Sequence, residues 1–232
     1  MRARVHFTES LAGILLLLTA MLAAACSSNP SDSSISPTPT PAPALAPGAP
    51  APPPSTTAST APSPASATDE IAVVETNYGT FKIKFYANVA PKHVEHFKQL
   101  VREKFYDGTA FHRVAPDNLV QGGDPNSKGN NRQTWGLGQP GQPTVPAEFN
   151  SMSFLPGIVG AARKGDNINS ATSQFFIALT PHPEWNGKYT VFGNVFEGLD
   201  VVKRISELPL EPGSERPRDK VVMRRVYLTP KT

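Results

Sequence analysis

The 232-residue sequence predicts a mainly β protein, a barrel capped by two helices, preceded by a long segment outside the fold. Three observations predict it. Many short runs of β-branched and aromatic residues are separated by Gly, Pro, Asn and Asp, as in strand-rich folds. Only two stretches carry helical periodicity. Nearly all charges and aromatics lie between positions 69 and 232, while twelve of the 25 prolines crowd between positions 30 and 64. The aromatic-rich part is long enough to bury one sound core.

The N-terminus reads as an address. Arg2 and Arg4 precede an apolar stretch from Leu11 to Leu22, too short to span a bilayer comfortably, and small residues follow. The exit, Leu22-Ala23-Ala24-Ala25-Cys26, resembles a bacterial lipobox, in which the cysteine is lipidated and becomes the new N-terminus. Ala23 stands where lipoboxes favour Leu, with Leu22 one place earlier. Residues 1–25 are therefore expected to be a lipoprotein signal peptide, with Cys26 the lipidation site and the chain's sole cysteine. Residues 26–68 are expected to be a disordered tether rich in Pro, Ala, Ser and Thr, able to bury little apolar surface. Roughly forty extended residues at about 3 Å each reach on the order of 100 Å. The implied location is the cell envelope, lipid-anchored and facing the periplasm or exterior.

Residues 69–232 form the expected domain. Ile71 to Thr76 and Thr80 to Tyr86 are strands joined at Asn77-Tyr78-Gly79. In the second, Phe81, Ile83 and Phe85 alternate with Lys82 and Lys84, so one face is buried. Pro91 opens a helix whose core face holds Val94, Phe97, Leu100 and Val101, with Lys92, Glu95, Lys98 and Arg102 elsewhere. Further strands are expected at 110–114, 119–121, 158–162, 174–179, 191–195 and 220–228, and a second helix at 198–205. Residues 122–150, rich in Gly, Pro, Asn and Gln, are expected to be a long functional loop.

Several chemistries are set aside. One cysteine permits no intramolecular disulfide and no cysteine zinc site within one chain. His93, His96 and His182 stand in no metal-ligand pattern. In the domain, 20 Lys plus Arg are interspersed with 17 Asp plus Glu, a mixed surface rather than a nucleic-acid stripe. Arg113 alone would read as a solvated charge, and Phe176 and Leu119 as core. Arg, Gln and Phe held in fixed order instead suggest a site that grips a peptide amide.

The runs Phe105-Tyr106-Asp107-Gly108-Thr109, Phe111-His112-Arg113-Val114, Gln121-Gly122-Gly123-Asp124-Pro125, Glu148-Phe149, Ser173-Gln174-Phe175-Phe176-Ile177, Gly187-Lys188 and Val191-Phe192-Gly193 occur in collinear order. Through them, residues 70 to 229 resemble a cyclophilin, a peptidyl-prolyl cis–trans isomerase. The resemblance implies an eight-stranded antiparallel barrel closed by two helices, acting as a monomer without cofactor or metal on proline-containing polypeptides. It implies Arg113 as the catalytic residue and Gln121, Phe176, Leu119, Ala162, Gln174, Trp185, Phe111 and His112 as substrate-binding residues. Gln121 would bond the substrate backbone, Phe176 would floor the proline pocket and Trp185 would stand at its rim, which also implies cyclosporin as a ligand. His112 is read as a structural hydrogen-bonding residue. The chain departs from the family at Asn118, where Phe is usual, at Tyr189, where eukaryotic members have His, and at Arg163, where Asn is common. The implied activity is envelope protein folding. The alternative is a cyclophilin-like module that binds proline peptides with weak or no turnover.

Overall fold

The computed structural model describes residues 70–231. The proposed signal peptide, Cys26 and the tether lie outside these residues.

Among the described residues, nine strands and two helices follow the expected order. The strands are β1 (Glu70–Thr76), β2 (Gly79–Phe85), β3 (Ala110–Phe111), β4 (Arg113–Ala115), β5 (Leu119–Gly122), β6 (Ile158–Ala161), β7 (Phe175–Ala178), β8 (Val191–Glu197) and β9 (Val221–Pro230). The helices are α1 (Pro91–Arg102) and α2 (Leu199–Ser206). The sheet order is β3-β9-β1-β2-β8-β6-β7-β5-β4, with every pairing antiparallel. Its two ends, β3 and β4, are one strand interrupted at His112. The run expected as a single strand over 110–114 pairs first with β9 and then with β5, and in doing so closes the barrel. Counting the broken strand once gives the eight strands of the expected fold.

The barrel interior is filled by alternate residues of each strand. Val74, Phe81, Ile83, Val120, Val159, Ile177 and Met223 are all fully buried there. Phe97 of α1 meets Tyr106, Phe175 and Phe192 at centroid separations of 4.8, 5.5 and 5.5 Å.

Helix α1 begins at Ala90, which has no capping side chain. The missing acceptor comes from far along the chain. Both carboxylate oxygens of Glu148 accept, from the backbone N–H groups of Lys92 at 3.0 Å and His93 at 2.9 Å. Lys98 departs from the surface position expected for it. It is buried against Phe85, its ammonium 5.3 Å from the ring centre and 3.2 Å from the Glu70 carboxylate. The aliphatic stem covers apolar surface while the charge keeps a partner. Helix α2 follows Gly198 at φ 79°, where a Cβ would lie 2.5 Å from the Thr80 carbonyl, so only glycine fits.

The 122–150 region is loop, as expected, but ordered. It contains single 3-10 turns at Pro125–Lys128 and Arg132–Thr134. Fully buried Asp124 organises it, accepting from the backbone N–H groups of Asn126, Gly136 and Gly138 at 3.1, 2.5 and 3.4 Å.

Candidate active site

The site follows from register. Arg113 pairs across with Gln121, Gln121 with Phe176, and Phe176 with Gly160, a row running across β4, β5, β7 and β6. The two-residue period of β7 sends Phe175 and Ile177 into the barrel core. Phe176 and Ala178 go to a second, smaller apolar cluster with Phe154, Ile158 and Val191. Phe176 thus faces outward from the barrel and is still buried.

Phe154 stacks beneath Phe176 at 5.5 Å and 18°, while Trp185 and Tyr189 meet Phe176 edge-on, each at 5.4 Å. Aromatic pairs of this kind add about 0.5–1.5 kcal/mol each beyond area burial. Trp185 is fixed in turn by His182, whose ring stacks on the indole at 3.6 Å and is held by Thr180 and Glu184. Gly160 is required under this floor, because a Cβ there would lie 2.5 Å from the Phe176 ring.

Above the floor lies a cleft of about 260 Å3, lined by Arg113, Asn118, Leu119, Gln121, Ala162, Arg163, Phe176, Trp185 and Tyr189. Six of the expected residues therefore share one cavity: Arg113, Leu119, Gln121, Ala162, Phe176 and Trp185. Gln174 stands beside it. Its side-chain carbonyl accepts from Gln121 Nε2 at 3.1 Å, and its own amide donates to the Gly136 carbonyl at 3.1 Å. That relay ties Gln121 to the loop organised by Asp124.

Two expected residues are placed elsewhere. Phe111 is buried in the main core, 6.1 Å from both Phe81 and Phe175, because its position on β3 points it inward. His112 is buried at the strand break, outside the cleft. Both ring nitrogens are buried with no hydrogen-bond partner among the described residues, and the ring packs on Gly136. Burial lowers the His112 pKa from its ordinary 6.5, against the opposing pull of the Asp124 carboxylate. It is a neutral spacer at the strand break, and its backbone N–H donates to the Gln121 carbonyl at 3.0 Å.

Arg113 is half-exposed and already engaged. Nε donates to the Glu215 carboxylate at 2.5 Å and Nη1 to Gln121 Oε1 at 3.4 Å, while Nη2 donates to no described residue. Glu215 is marked by no sequence motif as a partner of the arginine. It belongs to an irregular loop whose Glu215 carbonyl also accepts from the Val114 N–H, and nothing in its spacing marks it. At Asn118 the backbone is paired, but buried Oδ1 has no partner among the described residues.

The barrel with two helices, carrying an outward arginine over an aromatic floor, has the architecture of the cyclophilin class. The family model for the cyclophilin type peptidyl-prolyl cis-trans isomerase matches residues 71–228. A probable peptidyl-prolyl cis-trans isomerase of Brucella abortus (strain 2308) is 40% identical over 159 residues, covering 66% of this chain and 81% of that protein. A peptidyl-prolyl cis-trans isomerase of Schizosaccharomyces pombe is 39% identical over 146 residues, covering 60% of this chain and 91% of its own. A Cryptosporidium parvum cyclophilin type isomerase, solved in the presence of the dipeptide Ala-Pro, superposes with a TM-score of 0.62 at 25% identity. The match covers 68% of this chain and 98% of that one. The chain belongs to the cyclophilin-type peptidyl-prolyl cis–trans isomerase family.

Proposed function

We propose that this isomerase acts in the cell envelope on a lipid tether, with Arg113 stabilising the twisted prolyl amide. The observation that carries the mechanism is the meeting of Arg113, Gln121, Leu119 and Phe176 in one cleft.

Rotation about a peptide bond meets a barrier of about 18–20 kcal/mol because resonance stiffens the C–N bond. No bond is made or broken, so the chemistry requires no nucleophile. The proline ring rests on Phe176 and Leu119, which hold it while the acyl side turns. As the amide twists, the nitrogen lone pair localises and accepts from the guanidinium. That contact strengthens mainly in the transition state, which is the condition for raising rate. Arginine suits the task because its charge is permanent and its donors form a rigid planar fork. Glu215 and Gln121 fix that fork in place, leaving Nη2 as the donor for substrate. Gln121 anchors the peptide backbone beside the rotating bond.

Exchange NMR on an Ala-Pro peptide tests this reading. The domain is expected to accelerate isomerisation, and Arg113→Ala to lose most of that rate while its circular dichroism is retained. An unchanged rate in Arg113→Ala overturns the assigned role. Absence of turnover with retained binding supports the alternative of a proline-peptide binding module. The tether rests on the lipobox-like run ending in Cys26 and on the Pro-rich segment after it. Two or three acyl chains hold a protein on a membrane durably, where one does not. Mass spectrometry of the mature N-terminus tests it, and an unmodified Cys26 refutes it.

A further inference from the structure

A second, smaller cavity of about 90 Å3 adjoins the cleft and shares Gln121, Ala162 and Arg163 with it. Its remaining walls include Lys164, Gln142 and Gln174, and no carboxylate lines it. Arg163 stands over the Tyr189 ring at 4.8 Å and donates to the carbonyls of Lys188 and Gly165. All three contacts fix the side chain without neutralising it. Among the described residues neither Arg163 nor Lys164 forms a salt bridge, whereas Arg113 across the cleft is matched by Glu215. The cavity therefore carries two uncompensated positive charges, one of them pre-oriented, above a floor of amides.

We infer that this cavity selects proline substrates with an acidic side chain, Glu or Asp, within a few residues of the isomerising bond, on the side lying over Gln121 and Ala162. This rests on the cleft being the isomerase site. The carboxylate would pair with Arg163 and Lys164 as the proline ring settles on Phe176. The cavity has room for a single side chain, so the preference belongs to one position of the peptide.

The test compares three peptides that differ at one residue before Ala-Pro, carrying Glu, Gln or Lys, by exchange NMR at low and high salt. The Glu peptide is expected to show kcat/KM about three- to tenfold above the Gln peptide, as two partly exposed ion pairs would give. Salt should shrink the ratio. In Arg163→Glu/Lys164→Glu the order should invert in favour of Lys. Equal rates for all three peptides in the wild-type protein overturn the charge preference while leaving the isomerase reading intact. If no peptide turns over, chemical-shift titration with the same three peptides decides. Tighter binding of the Glu peptide supports the inference, and equal binding overturns it.

Discussion

The arginine at the centre of the cleft is oriented by an acid from another loop. Nε of Arg113 is committed to Glu215, so the fork cannot swing away from the cleft without breaking that contact. Both partners are about half exposed, which limits the pair to roughly 0.2–1 kcal/mol. Glu215→Ala is accordingly expected to lower kcat by about two- to fivefold with little change in KM, since the acid touches the arginine and does not line the cleft. A fall confined to KM would contradict that role. Asn118 offers a second test. Its buried Oδ1 lacks a partner among the described residues, and an unsatisfied buried acceptor costs about 1–3 kcal/mol. Asn118→Leu should raise the unfolding free energy by about 1 kcal/mol in chemical denaturation. It should also lower KM for an Ala-Pro peptide by adding apolar wall to the cleft.

Strands and helices show which parts of the fold were legible in the sequence. Alternation in Phe81, Ile83 and Phe85, and the apolar stripe of α1, are local signals, and each became the expected element. The break at His112 was not legible, because Ala110 to Ala115 has continuous strand character. Only the separate positions of β9 and β5 divide it. Lys98 reads as a surface lysine until Glu70 and Phe85 are brought beside it from distant sequence. For the same reason the Glu148 cap of α1 and the Glu215 contact carry no local signature. Six residues named by the motifs line the cleft, whereas Phe111 lies in the main core, because a motif does not say which face of a strand its members take. At this scale Gly160 governs the floor. Gly160→Ala would drive a methyl into Phe176 and Phe154, overpacking that typically costs about 1–3 kcal/mol. Tm should fall and KM should rise together, and a change in one without the other would sink this account.

For the whole domain, the three imidazoles whose pKa is lowered by burial, those of His93, His96 and His112, set the response to acid. Burial lowers the pKa of His93, His96 and His112 below the ordinary 6.5, against opposing pulls from Glu148 on His93, from the Thr172 backbone on His96 and from Asp124 on His112. The unfolded chain then binds more protons than the folded one in the window just below 6.5. Stability is complete above that value and is lost as pH falls through the folded-state values. Glu148 adds a lower window. Burial raises its pKa, but the His93 side chain and the two helix N–H groups outweigh this and leave it below 4.5. Its contribution is lost only on further acidification. Thermal melts should therefore show Tm falling from about pH 7 to about pH 5, with His112→Gln flattening the upper part of the profile. A Tm independent of pH over that interval would contradict the assignment.

One interrupted strand closes the barrel. A ring joined through short pairings opens first at that join, and here the join holds two residues on one side of His112 and three on the other. Arg113 is the first residue past it. Partial opening, well short of unfolding, would carry the arginine away from Gln121 and Phe176 while the rest of the ring stayed paired. Catalysis in such a molecule is the earliest casualty of stress, and in mild denaturant the isomerase should fall silent before its spectrum reports any loss of structure.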